Sequence, residues 1–307
     1  MQHALDAREY KLLLNPARFQ EAPFELVADT FWEERLKPVI RKLGRRDGEP
    51  RHDGRFDAPS ERIVRFWDTQ DCLLSKADLA LRERWTAANG TPVVDAPEIT
   101  LKLRMPDLFV VAATALPGRG DDARTTLEED IAPLEVDDPA PQKTAVVVPV
   151  KRSIRSRFSL STTQAAGWAE PYRTLGGLRS LFPTVGNILF PAGSEFTPGS
   201  MLISGPTIRE VALKGAHVKF GDSIVGKFTI TLWYFGPAYT APTVAEISFK
   251  CATADGDMPG KAARRALDLF IDMQTDLGNW VNSDPARPRW RCRVVAVARL
   301  SRRLHLS

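Results

Sequence analysis

Apolar and polar residues alternate strictly in several short runs of this chain, the two-residue period of a strand with one wet and one dry face. Glu9 to Leu14 is the first run, closed by Asn15-Pro16, and it sets Glu9 and Lys11 on one face. Glu61 to Trp67 leads into an Asp68-Thr69 turn. Beyond it, Asp78, Ala80, Arg82 and Arg84 share one face, while Leu79, Leu81 and Trp85 share the other. Asn89-Gly90 marks a hairpin return. Ile99, Leu101 and Leu103 then alternate with Thr100, Lys102 and Arg104. Extended structure is also expected over 143–160, where Arg155 and Arg157 share a face, and over 208–220, 224–234 and 244–251. In the last of these Glu246, Ser248 and Lys250 oppose Ile247, Phe249 and Cys251.

The helical period governs three segments. Over 23–41 the residues Phe24, Val27, Phe31 and Leu36 form one side, with Pro38 able to kink or end the helix. A second helix is expected over 164–181, interrupted by Pro171 and Gly176-Gly177. A third opens at Asp257 and Pro259 and runs to Val281, with Leu267, Phe270, Gln274, Leu277 and Val281 on one side. Residues 45–59 and 186–206 are turn-rich. No internal repeat is present, and the chain reads as a single domain over 1–307.

Composition changes the picture in one respect. With 43% hydrophobic and 26% charged residues the chain is globular, and its formal charge is only +4. Yet Pro117 to Pro141 holds eight acids against two bases, so that segment carries −6 and the remainder +10. A basic body points to an anionic partner. The stretch 106–142 is read as an acidic insertion whose second half lacks the residues to pack firmly. The stretch 285–307 is read as a basic extension, with Arg287, Arg289, Arg291 and Arg293 at alternate positions. Such a run is expected to be a solvated edge, and nucleic acid is not the expected partner. The three cysteines, Cys72, Cys251 and Cys292, are too far apart for a disulfide framework, which suits a reducing compartment. No signal-peptide pattern opens the sequence. The longest apolar run, Leu108 to Leu116, is too short to span a bilayer. A cytoplasmic protein with no membrane partner is expected.

Five strand candidates thus carry charges on the face opposite their apolar residues: Glu9/Lys11, Arg82/Arg84, Lys102/Arg104, Arg155/Arg157 and Glu246/Lys250. An ordinary sheet would leave such charges in water. About eight strands can instead close into a barrel holding side chains or one small ligand. A barrel with these faces inward would be a cationic tunnel, and buried cations without partners cost several kcal/mol. A polyanion would resolve that cost, because the planar arginine fork matches phosphate oxygens. Carboxylates beside it could hold a hard divalent ion. The four histidines show no metal-binding spacing, and neither a Walker loop nor a GxSxG elbow is present.

In order along the chain, Glu9-x-Lys11, Asp68-Thr69 followed by Leu81-Arg82-x-Arg84, Thr100-Leu101-Lys102 and Glu246-Ile247-x-x-Lys250 resemble the CYTH superfamily, the triphosphate tunnel metalloenzymes. The resemblance implies an α+β fold: an eight-stranded antiparallel β tunnel barrel with helices packed outside. It implies Mg²⁺- or Mn²⁺-dependent hydrolysis of a short triphosphate compound: inorganic triphosphate, thiamine triphosphate or a nucleoside triphosphate. Glu9, Lys11 and Glu246 would be catalytic, and Glu9 and Glu246 the metal ligands. Arg82, Arg84, Lys102, Arg104, Arg155, Arg157, Arg209 (or Lys214 in its place) and Lys250 would bind phosphate. Ala7, Ser159 and Ser248 stand where the family carries acids. These departures keep two alternatives open: a tunnel that binds polyphosphate or a nucleotide without turnover, and a class IV-type adenylate cyclase.

Overall fold

The computed structural model describes residues 3–20, 22–48, 50–57, 59–93, 96–133, 154–169, 172–189, 197–221, 223–236 and 240–282. The expected basic extension with Arg287, Arg289, Arg291 and Arg293 lies outside the described residues, as do Cys292 and the part of the acidic insertion after Pro133. The strands, in chain order, are β1 (Ala7–Leu14), β2 (Arg51–Asp53), β3 (Ser60–Thr69), β4 (Leu79–Ala88), β5 (Thr91–Pro92), β6 (Glu98–Met105), β7 (Arg124–Pro133), β8 (Ile154–Ala165), β9 (Leu202–Ser204), β10 (Ile208–Leu213), β11 (His217–Lys219), β12 (Val225–Phe235) and β13 (Val244–Ala252). The helices are α1 (Phe24–Phe31), α2 (Lys37–Asp47), α3 (Leu73–Lys76), α4 (Leu108–Ala113), α5 (Leu175–Leu181), α6 (Val185–Leu189) and α7 (Gly260–Asp276).

Nine strands close into a barrel in the order β3-β4-β6-β8-β7-β1-β13-β12-β10, with β10 pairing back onto β3. The expected count was eight, all antiparallel. Here β1 and β7 run parallel, with Glu9 beside Asp130, and the other barrel pairs are antiparallel. The added strand is β7, drawn from the stretch read as insertion. Its Leu127 and Ile131 are buried, which gives the acidic segment enough apolar surface to join the wall.

The core lies outside the barrel, in two layers. On one side Tyr10, Leu12 and Leu14 of β1, Ile247 and Phe249 of β13, and Phe228, Ile230 and Leu232 of β12 pack against α1, α2 and α7. Tyr10 stacks on Phe249 with ring centroids 4.6 Å apart. Lys42–Asp276 and Arg46–Asp272, at 2.6 and 2.7 Å, tie α2 to α7. On the other side Leu79, Leu81, Ile99, Leu101, Leu103, Leu127 and Leu160 pack against α3 to α6. Because the pleat alternates, the residues between these apolar ones must face the lumen.

Local chemistry explains most boundaries. Pro38 follows directly on a π turn, where the change of hydrogen-bond register already interrupts the ladder that its missing N–H would break. The expected helix over 23–41 therefore runs through it to Asp47, with one π turn over Trp32–Leu36. The expected helix over 164–181 is reduced to α5, because Gln164 and Ala165 still pair with Ile99 and Glu98 in the β6–β8 ladder. The expected strand over 208–220 breaks at Gly215 (φ 107°), where a Cβ would run into Arg55 and Asp57.

Candidate functional site

The Asp68-Thr69 turn sets the register of the site. Asp68 is buried and accepts from the backbone N–H groups of Thr69, Leu74 and Ser75 and from the Ser75 hydroxyl, at 2.6–3.0 Å. It thereby fixes the β3–α3–β4 connection. β4 then pairs Arg82 with Phe66 and Arg84 with Val64 on β3, and Arg82 with Thr100 and Ala80 with Lys102 on β6. Phe66, Ala80, Arg82, Thr100 and Lys102 line one cavity of about 40 Å³, room for a few water molecules.

Two charge clusters flank this cavity. In the first, Lys11 Nζ lies 2.9 Å from Glu9 Oε2 and 2.7 Å from Asp130 Oδ1. Arg104 Nη2 is 2.7 Å from Asp130 Oδ2, which also accepts from the Ser159 hydroxyl at 2.5 Å. Lys11 and the other surrounding cations hold the Asp130 carboxyl well below the usual range despite its burial. Lys250 Nζ donates to Glu128 at 2.8 Å nearby. Glu246, only 7% exposed, is pushed up to about 7 by burial, against the pull of Lys11 and with Glu9 and Asp130 adding to the rise. In the second cluster Glu210 sits 3.3 Å from Arg62 and 3.6 Å from Arg84, and accepts from Trp233 Nε1 at 3.1 Å. Lys214 belongs to its field: burial, with Arg62 and Arg84, lowers its pKa.

Arg82 and Lys102 stand between the clusters. Among the described residues no carboxylate forms an ion pair with either. Arg82 makes only a long contact of 3.4 Å to Thr100 Oγ1, and its Nε is buried without an acceptor. Burial, with Arg84 beside it, disfavours the Arg82 charge, but a guanidinium does not give up its proton in a protein. Lys102 does respond: burial, reinforced by Arg104 and Lys11 and opposed by Asp130, pushes it down to about 7.

The tunnel thus brings together Glu9, Lys11, Arg82, Arg84, Lys102, Arg104, Glu246 and Lys250. Arg157 stands opposite Asp130 in the β7–β8 ladder, with Arg155 on the same face toward the strand end. Arg209 is the exception. It lies on the outer face, 3.0 Å from Glu61 and over the Tyr234 ring at 5.2 Å. Its neighbour Glu210 faces inward in its place, since adjacent strand residues point to opposite faces. Sequence reasoning also missed Arg62, Asp130 and Glu210, and named Glu128 only as an acid it could not place near the tunnel. The run Thr126, Glu128, Asp130 does alternate with Leu127 and Ile131, but Glu129 on the outer face, bonded to Arg8 at 2.6 Å, obscures the period.

The resemblance implies a divalent ion, and the donor set does not fit one. Among the described residues no three His, Cys, Asp or Glu side chains are arranged to hold a metal. Glu9 and Asp130 are engaged by Lys11 and Arg104, and Ala7 and Ser248 add no charge. Among the described residues, no helix is long and apolar enough to cross a membrane. Cys251 is buried and Cys72 half-buried, both as free thiols.

No protein-family model and no curated protein matches the chain. Similar solved structures include HpAC1 from Hippeastrum, a proposed adenylyl cyclase described as having a dominant triphosphatase activity, at 14% identity, 89% coverage of both chains and a TM-score of 0.39. They also include a proposed adenylate cyclase, bh2851, from Bacillus halodurans, at 14% identity, 88% of this chain, 91% of that one and a TM-score of 0.33. PH1819 from Pyrococcus horikoshii matches at 10% identity, 89% of this chain, 91% of that one and a TM-score of 0.32. At such identities and scores, the barrel's own residues are the ground on which its function is read.

Proposed function

We propose that the tunnel binds a short linear triphosphate compound: inorganic triphosphate, thiamine triphosphate or a nucleoside triphosphate. One observation carries this reading. Arg82 and Lys102 share a cavity with Thr100 and have no carboxylate partner among the described residues, while Lys11, Arg84 and Arg104 beside them do. Two half-buried cations without ion-pair partners destabilise a fold by a few kcal/mol. A polyanion supplies the missing charge. It can extend from them toward Arg84 and Arg62 on one side and Arg104 and Lys11 on the other. The long stems of these side chains let the charged ends close around a ligand larger than the cavity. The Thr100 hydroxyl, which also meets Thr163 at 2.9 Å, offers a further hydrogen bond to an oxyanion.

A second reading, turnover, is favoured by Glu246. A buried carboxyl titrating near neutrality can carry a proton to a departing phosphate. With Lys11 neutralising developing charge, that is the part of the expected hydrolase chemistry these residues supply.

Isothermal titration with inorganic triphosphate tests the binding reading. Micromolar affinity in the wild type, weakened about 100-fold in Arg82→Ala, supports it. No binding to the wild type removes it. Phosphate release, lost in Glu246→Gln with binding retained, supports turnover. Cyclic nucleotide formed from ATP would instead identify a cyclase.

A further inference from the structure

We infer that the tunnel takes its polyanion without a divalent cation, Lys11 and Arg104 holding the oxygens such an ion would need. The inference rests on the reading of the tunnel as a triphosphate site. A hard dication requires several ionised oxygens free to approach within about 2.0–2.6 Å. The acidic side of this lumen offers Glu9, Glu128, Asp130 and Glu246. Lys11 Nζ bridges Glu9 and Asp130 at 2.9 and 2.7 Å, Arg104 takes the second Asp130 oxygen at 2.7 Å, and Lys250 takes Glu128 at 2.8 Å. Ser159 completes Asp130 with a hydrogen bond at 2.5 Å.

That leaves Glu246, one buried carboxylate where a hard dication needs several oxygens. Across the ladder from Lys11 stands Ser248, a hydroxyl with no charge to give. An added dication would have to displace Lys11 or sit against both Lys11 and Arg104, and like charges repel most strongly where water is scarce. An ammonium has three N–H donors and no acceptor. Those of Lys11 face Glu9 and Asp130 at ion-pair distance, and a phosphate oxygen entering the tunnel would meet the same ammonium. Lys11 then does in this tunnel the neutralising work of a metal, as a fixed charge that no chelator removes.

The test uses the full chain and two probes. Inorganic triphosphate is titrated calorimetrically in excess EDTA and again with excess Mg²⁺ or Mn²⁺. Separately, Mn²⁺ alone is titrated into the protein and followed by its electron paramagnetic signal. Expected is triphosphate affinity in EDTA within about threefold of that with metal, together with no stoichiometric Mn²⁺ site. Binding only when metal is added, or a Mn²⁺ site lost in Glu9→Gln, would overturn the inference while leaving the triphosphate reading intact. No binding under either condition would overturn both.

Discussion

Replacing Lys102 by methionine separates the cost of a buried charge from its use. The methionine keeps the apolar stem and removes the ammonium. In the folded tunnel burial lowers Lys102 from its ordinary 10.5 to about 7. A drop of that size is equivalent to about 5 kcal/mol, the penalty for holding the charged form in place. Lys102 is not fully enclosed, so solvent screening reduces the measurable part to roughly 2 kcal/mol. The direction follows from the two proton affinities. Between about 7 and 10.5 the unfolded chain binds the proton more tightly than the folded one, so wild-type stability rises with pH across that window. The penalty is full below about pH 7 and fades toward 10.5. Urea denaturation should therefore show Lys102→Met more stable than wild type by roughly 2 kcal/mol near pH 6, with most of that gain gone near pH 9.5. Triphosphate affinity should fall in the same variant. Calorimetry in buffers of different ionisation heat should show wild type taking up about half a proton per triphosphate through Lys102 near pH 7, and the variant correspondingly less. A variant less stable at both pH values, or an equal gain at both, would refute the claim that an uncompensated ammonium lies in this cavity.

Three further perturbations probe its surroundings. Glu210→Gln releases Arg62 and Arg84 from their shared carboxylate; it should tighten triphosphate binding about tenfold and lower stability by about 1–3 kcal/mol, read by calorimetry and urea denaturation. Asp130→Asn should cost about 3 kcal/mol at neutral pH. Because the folded carboxyl titrates well below 3.8, its contribution is present above that value and lost as pH falls further, so acid titration should weaken wild type more than the variant. Arg209→Ala, on the outer wall, should leave triphosphate affinity within about twofold and cost about 1 kcal/mol through Glu61 and Tyr234, which thermal denaturation and calorimetry together check.

The amino-acid sequence by itself determined which residues lie on opposite faces of a strand, because the two-residue period is a property of the extended backbone. Arg82 and Arg84 against Leu79 and Leu81, Lys102 against Leu101 and Leu103, and Glu246 against Ile247 were all legible in this way, and with them the charged lining. The register of β10 was not legible. Arg209 and Glu210 are adjacent and oppositely charged, and either assignment leaves one charge inside; only pairing with β3 and β12 decides that it is Glu210. β7 escaped notice for a related reason. Three consecutive acids, Glu128 to Asp130, resemble a solvated loop until β1 and β8 flank them and Lys11, Arg104 and Arg8 divide them between two faces. Tertiary structure also decided which cations have partners. Periodicity places a charge on a face, but the distance to its neighbour across a closed barrel depends on strands far apart in the chain. Lys11 is thereby neutralised and Lys102 is left uncompensated.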